Sequence, residues 1–138
     1  MKIMTITRSI ETEVDPDAIL DILADARHLP QWASGFADAV AAGPDDDWLV
    51  TKDGRVFSIR VEVERSRGTV DYVREIAPGQ KGGAFLRVLP RPDGGSVVIM
   101  TLPLSAVGGD AMVATALLDQ ELHGLVGIGE SRMIRGLP

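Results

Sequence analysis

Two polar side chains that could hold a ligand lie on one face of a predicted strand. In the stretch TVDYVREI, Tyr72 and Arg74 share the phase of the apolar Val70 and Ile76. An inward arginine is costly unless it is paired or meets water, and a guanidinium binds carboxylates bidentately. We therefore predict a pocket in which Arg74 anchors an acidic group and Tyr72 donates a hydrogen bond. The alternative is that Arg74 reaches water at the end of the sheet or pairs with an interior acid.

Aromatic residues follow a predicted helix break in the stretch LPQWASGF. There, Trp32 and Phe36 either form the apolar mouth of the pocket or seal the core as large fillers. Met100, on the last predicted strand, could adapt its flexible side chain to a ligand. The predicted ligand-binding set is thus Trp32, Phe36, Tyr72, Arg74 and Met100. No catalytic residue, metal ligand or cofactor is predicted.

Two further polar residues are weaker candidates for the same pocket. Arg8 shares the phase of Ile6 and Ile10 in the first strand, so it is open to the same alternatives as Arg74. Thr101 lies on the last predicted strand. Both would have to point toward the same cavity to contribute.

The histidines each allow two interpretations. His28 has the intrinsic pKa of a general acid or base, but its position just before Pro30 also suits a helix C-terminus. His123 shares a helix face with Asp119 and Glu130, which is either one arm of a metal site or a charge-paired surface. The sequence contains no nucleophile elbow, P-loop, dinucleotide fingerprint or zinc motif.

Composition narrows the class of protein. The 138 residues suit one domain, and the absence of cysteine excludes disulfides, thiolate nucleophiles and cysteine-based metal sites. The net charge of −6, from 20 acidic and 14 basic residues, argues against nucleic acid as a partner. No signal-peptide pattern is present, and the longest uncharged run is too short to span a membrane and contains Pro103. We therefore expect a cytoplasmic protein.

The elements that would position the candidate residues begin with a strand and two short helices. Residues 3–14 alternate as a half-buried strand. Asp15 suits the N-cap of the first helix, and Pro16 suits its first turn. Pro30 is expected to end that helix, and LPQWASGF to form a second short one.

Six strands and a long helix are predicted to follow. The six strand segments are ADAVAAG, WLVT, RVFSIRVEVER, TVDYVREI, AFLRVLP and SVVIMTLPL. Asp110 can cap a helix over 111–133, in which Leu118, Leu122 and Leu125 belong to one apolar stripe. This order predicts an α+β fold with a curved antiparallel sheet of about seven strands around a long C-terminal helix.

Three stretches and the closing helix carry a family resemblance. SIETEVDPDAILDILADARHLPQWASG, GTVDYV and RVLPRPDGGSVVIMTL resemble the helix-grip superfamily of START domains, Bet v 1 allergens and bacterial polyketide cyclase/dehydrase proteins, called SRPBCC. The resemblance covers nearly the whole chain and implies a single domain over 1–138. The turn GPDDDW departs from the glycine-rich loop of Bet v 1-like members, which argues against a phosphate cradle there.

The resemblance implies a cavity between the sheet and the last helix. We expect binding or carriage of a small hydrophobic or amphipathic molecule in that cavity. One alternative is an enzyme of the polyketide cyclase or dehydratase type, which would need a convergent acid/base pair in the cavity. A second alternative is a protein-interaction domain like the chaperone-activating relatives, which would have a filled core and an exposed apolar patch.

Overall fold

A computed structural model describes residues 2–136 of the chain, except the side chains of Ile76, Ala77 and Lys81. In this structure seven strands form one sheet in the order β1-β7-β6-β5-β4-β3-β2, and every neighbouring pair is antiparallel. The strands are β1 (Thr5–Thr12), β2 (Ala39–Ala42), β3 (Trp48–Lys52), β4 (Arg55–Glu64), β5 (Thr69–Ala77), β6 (Gln80–Pro90) and β7 (Ser96–Pro103). The predicted seven-stranded antiparallel sheet is confirmed.

Over the described residues, three α-helices accompany the sheet: α1 (Pro16–Ala24), α2 (Leu29–Trp32) and α3 (Ala111–Ile134). Short 3-10 turns occupy Ala26–His28, Pro44–Asp46, Arg65–Arg67 and Leu104–Val107. Within the part of the chain that the structure describes, no helix combines the length and the apolar character needed to cross a bilayer.

The first short helix, α1, begins at the predicted capping residue. Asp15 accepts a hydrogen bond from the backbone N–H of Ala18 at 3.0 Å and caps α1. The prediction that Pro30 ends this helix is wrong. The helix already ends at Ala24, where Asp25 leaves helical geometry, and Pro30 lies in the first turn of α2. Proline is tolerated there because the first amides of a helix have no intrahelical acceptor.

The long helix α3 lays an apolar stripe on the sheet, as predicted. Asp110 caps it by accepting hydrogen bonds from two backbone amides. Leu118, Leu122 and Leu125 are fully buried, whereas Met133 at the end of the predicted helix is exposed. The helix packs mainly along β1 and also contacts α1 and α2. It therefore lies beside one edge of the sheet and leaves room over the central strands.

The core fills the space between α1, α3 and the concave face of the sheet. Inward residues of β4 alternate with exposed ones, so that Ile59 is buried while Ser58 and Arg60 face water. The largest fully buried side chains of this core are Ile19, Ile22, Leu23, Leu29, Ile59, Leu86, Leu118, Leu122 and Leu125. Burial of these side chains supplies most of the driving force for folding.

Truncation of the α3 stripe tests this packing. We expect Leu122→Ala to lower the free energy of unfolding by roughly 2–5 kcal/mol, because a buried leucine is replaced by a cavity. The control is Ile134→Ala on the same helix, since Ile134 is 86% exposed. That change should cost less than about 0.5 kcal/mol. Urea titration of both variants measures the difference, and equal values would show that α3 packs through another face.

Candidate functional site

A cavity of about 480 Å³ lies between α2, α3 and the inner face of the sheet, and its wall is mostly apolar. The 3-10 turn Leu104–Val107, which follows β7, contributes to its rim. Its lining includes Leu29, Trp32, Ala33, Gly35, Phe36, Ile59, Tyr72, Arg74, Met100, Leu102, Leu117 and Glu121. All five residues predicted from the sequence therefore lie around one cavity. Their role in binding a ligand stays a prediction.

The aromatic residues of the cavity wall both line it and seal it. Trp32 is only 4% exposed, and its ring packs against Tyr72 with the centroids 6.0 Å apart. Phe36 is half-buried and meets Phe57 edge-on at 5.4 Å. The two alternatives for Trp32 and Phe36 are thus not exclusive, because each ring has one side in the core and another on the cavity.

Close helix packing holds Trp32 in place. A side chain added at Gly124 would lie 3.2 Å from Cα of Trp32, so glycine at this position of α3 lets α2 approach closely. The indole N–H of Trp32 is enclosed and has no hydrogen-bond partner among the described residues. The backbone position of Trp32, and with it one end of the cavity, is therefore set by contact between α2 and α3.

Tyr72 lines the cavity with its ring rather than with its hydroxyl proton. The hydroxyl donates a hydrogen bond to the backbone carbonyl of Leu23 at 2.6 Å. Burial raises the pKa of the phenol far above its ordinary value, so it stays protonated. The expectation that Tyr72 offers this proton to a ligand is not met, because a carbonyl of α1 already accepts it.

Arg74 faces the cavity from β5 without an acidic partner. Its guanidinium carbon lies 4.2 Å from the centroid of Phe57, which is a cation–π contact. Gly82 of β6 lies opposite Arg74 in the strand pairing and has no side chain that would crowd the guanidinium. Among the described side chains, no carboxylate lies within 4.0 Å of the nitrogens of Arg74. The predicted interior acid is therefore not present as a partner, and the guanidinium remains available to an anion.

The two weaker candidates lie elsewhere. Arg8 donates from Nε to Oδ1 of Asp119 at 2.8 Å and from Nη2 to Oδ2 at 3.1 Å. This bidentate pair with α3 holds the pKa of Asp119 below its usual range and keeps Arg8 out of the cavity. Thr101 shares a hydrogen bond with Thr7 at 2.7 Å, between strands β7 and β1, and is absent from the cavity lining.

Neither histidine belongs to the cavity lining. His28 lies with Nε2 3.4 Å from Nη2 of Arg132 near the end of α3, and burial together with this cation lowers its pKa. His123 places Nδ1 2.8 Å from the backbone oxygen of Asp119 one turn earlier. Within residues 2–136, no three His, Asp or Glu side chains come together in a way that could hold a metal ion.

A residue that the sequence analysis missed is the acid of the cavity. Glu121 is 4% exposed on α3 and lines the cavity, yet no hydrogen bond to its carboxylate is found among the described residues. Removal from water raises its pKa to about 7. The available signal was its spacing, three residues after Leu118 and four before Leu125, which places it at the border of the buried stripe.

The unpaired acid should make stability depend on pH. Because the pKa of Glu121 rises from 4.5 in the unfolded chain to about 7, the folded protein holds an extra proton between these values. This proton favours folding at low pH, and the benefit is lost as the pH rises through about 7. As the pH is raised from about 5 to about 8, we expect the free energy of unfolding of Glu121→Gln to rise relative to that of the wild type by up to about 3 kcal/mol.

Glu130→Gln provides the matched control, because Glu130 is an exposed glutamate on the same helix. Urea titrations of wild type and both variants at each pH measure the effect, and the difference between proteins removes the contribution of His28 and other common groups. A constant gap between Glu121→Gln and wild type across the pH range would contradict the assignment.

Comparisons with known proteins agree with this architecture. The chain resembles the Zhui aromatase/cyclase from Streptomyces sp. R1128, with a TM-score of 0.70 and 14% identity over 94% of both chains. It also resembles a START superfamily protein from Mycobacterium smegmatis, with a TM-score of 0.65 and 16% identity over 93% of this chain and 98% of the other. The Aha1 dimer from Colwellia psychrerythraea has a TM-score of 0.62 and 14% identity, over 89% and 96% of the chains.

These identities establish a common fold and nothing finer. No curated protein matches the chain in sequence. A family model described as "Polyketide cyclase / dehydrase and lipid transport" matches residues 4–127, which is most of the chain and includes every lining residue named above. The START-like helix-grip fold inferred from the sequence is confirmed, and the chain belongs to the polyketide cyclase/dehydrase and lipid transport family.

Proposed function

We propose that this protein binds or carries one small amphipathic molecule with an acidic group in the cavity beneath α3. The observation that carries the proposal is an arginine, without an acidic partner among the described side chains, on the wall of a mostly apolar cavity. A volume of about 480 Å³ falls in the range of small-molecule sites. The apolar part of the ligand would contact Trp32, Phe36 and Met100, and its acidic group would meet Arg74.

The charge of Arg74 favours an anionic group over a neutral one. A guanidinium is always protonated and offers several donors in one plane, which suits a carboxylate or a phosphate. Its stacking on Phe57 restrains the side chain before a ligand arrives, so that less conformational entropy is lost on binding. Arg74 is half-buried, so water can solvate the charge when the cavity is empty.

The enzymatic alternative has weaker support. A cyclase or dehydratase would need an acid and a base that converge on one substrate atom. Among the described lining residues, Glu121 is the one carboxyl group, and the phenol proton of Tyr72 is engaged by Leu23. The interaction-domain alternative expects a filled core, whereas the space under α3 is open. Binding is therefore the function that this geometry supports best.

Paired ligands of equal length test the role of Arg74. We expect decanoic acid to quench the fluorescence of Trp32, measured in a Trp48→Phe background because Trp48 lies outside the cavity lining. Arg74→Ala should weaken decanoic acid by roughly tenfold to a hundredfold, since a charge-assisted hydrogen bond is lost. Decanamide, which has no charge, should lose less than about threefold.

Arg87→Ala is the control, because Arg87 is an exposed arginine on β6 and is absent from the cavity lining. It should leave both dissociation constants unchanged. Equal losses for the acid and the amide in Arg74→Ala would remove Arg74 as the anchor. If neither compound quenches the fluorescence of the Trp48→Phe protein that retains Arg74, the proposed function itself is contradicted.

A further inference from the structure

The unexplained polar group of the cavity is the carboxyl of Glu121. It projects from α3, whereas Arg74 belongs to the sheet, so the two groups approach the cavity from different walls. They do not form an ion pair within 4.0 Å. The cavity thus has a guanidinium and a carboxyl group at separate points of a mostly apolar lining.

Packing alone does not account for an acid at this position. Glu121 is only 4% exposed, and its helix neighbours Leu118, Leu122 and Leu125 are apolar. A buried carboxyl without a hydrogen-bond partner destabilises the fold, whereas an apolar side chain of similar volume would not. Its two carboxyl oxygens have no hydrogen-bond partner among the described residues, but they are not fully enclosed. They therefore remain accessible from the cavity that Glu121 lines. The carboxyl is therefore placed to meet whatever enters.

We propose that Glu121 forms a second polar subsite, in which its protonated carboxyl donates a hydrogen bond to an uncharged keto or hydroxyl oxygen of the ligand. This inference rests on the proposed function and narrows the ligand to an amphipathic acid that carries an additional uncharged oxygen. Arg74 would hold the charged group and Glu121 the neutral one.

The choice of a neutral oxygen follows from charge. A carboxylate at Glu121 would repel an acidic ligand inside an apolar space, where Coulomb interactions are strong. A protonated carboxyl has one O–H donor and suits a carbonyl or hydroxyl acceptor. Burial holds the pKa of Glu121 near 7, so the protonated form is accessible at neutral pH. Ligand binding would then stabilise the protonated form further.

Few other charged groups face this site. From β5, the lining contains Arg74 and the protonated phenol of Tyr72. The described lining residues from α2 and the segment after it, from β4, β6 and β7, and from the turn Leu104–Val107 include no titratable side chain. Arg74 favours the carboxylate form of Glu121, and the apolar surroundings favour the acid. The pH dependence of ligand binding reports which effect dominates.

The neutral fluorescent ketone prodan tests the subsite independently of Arg74. Its emission moves to longer wavelength when its carbonyl accepts a hydrogen bond. We expect wild-type protein to bind prodan roughly tenfold or more tightly at about pH 6 than at about pH 8.5, because the donor is lost on ionisation. Glu121→Gln keeps an N–H donor, so its affinity and long-wavelength emission should be the same at both pH values.

Glu121→Met is the matched variant without a donor, and Glu130→Gln is the control on the exposed face of the same helix. The methionine variant should bind prodan without pH dependence and with emission at shorter wavelength, and Glu130→Gln should behave as wild type. Circular dichroism verifies that each variant is folded. One result would overturn the subsite: the wild type binds prodan with an affinity and an emission wavelength that do not change with pH and that equal those of Glu121→Met.

Two further arms separate this inference from the proposed function. If decanoic acid binds in an Arg74-dependent manner but prodan fails to bind at about pH 6, the subsite is wrong and the proposed function stands. If neither compound binds, both fail. Decylamine provides the second arm. If it binds the wild type at about pH 8.5 and binds Glu121→Gln more weakly, the partner of Glu121 is an ammonium group and the neutral-oxygen subsite is overturned.

Discussion

The position of α3 along one edge of the sheet is the constraint on which the cavity depends. The helix packs on β1 and against α1 and α2, so its buried leucines complete the core on that side. The central strands remain uncovered by α3, and Trp32 of α2 together with Phe36 closes one end of the gap. A cavity persists because close contacts outside it fix the positions of α2 and α3. Gly124 of α3 meets Trp32 of α2 at one such contact.

This arrangement gives the cavity an uneven distribution of polar groups. Most of its wall is apolar, with a cation on the sheet and an acid on the helix. Neither group has an ion-pair or hydrogen-bond partner among the described side chains, so each depends on water for its polar contacts when the cavity is empty. The hydroxyl of Tyr72 is satisfied within the protein by Leu23, whereas the indole N–H of Trp32 is enclosed without a partner among the described residues. Arg74 and Glu121 are the features of the lining most directly suited to recognition, because both are open to the cavity.

The family comparison separates what the fold requires from what the lining adds. Structures with 14–16% identity share this architecture, including proteins described as an aromatase/cyclase and as a START superfamily protein. The shared part is the sheet and the helix laid on it, which a pattern of apolar residues is sufficient to specify. The lining residues can change without altering that pattern, so function has to be argued from them.

The sequence by itself determined the elements and their inward faces. Two-residue alternation placed Tyr72 and Arg74 toward the interior, and helical spacing placed Leu118, Leu122 and Leu125 on the sheet side of α3. These signals are local, because the backbone geometry of a strand or a helix dictates where successive side chains point. The caps at Asp15 and Asp110 are local for the same reason.

Only the tertiary structure decided which inward polar groups are free. Tyr72 donates a hydrogen bond to the backbone carbonyl of Leu23, 49 residues earlier, and Arg8 pairs with Asp119, 111 residues later. No local pattern reports such distant partners. Periodicity brings Glu121 to the border of the buried stripe, but whether its carboxyl meets packed side chains or open space depends on the separation between α3 and the sheet. That separation is set by the packing of the whole fold, because each helix position depends on all of its contacts at once.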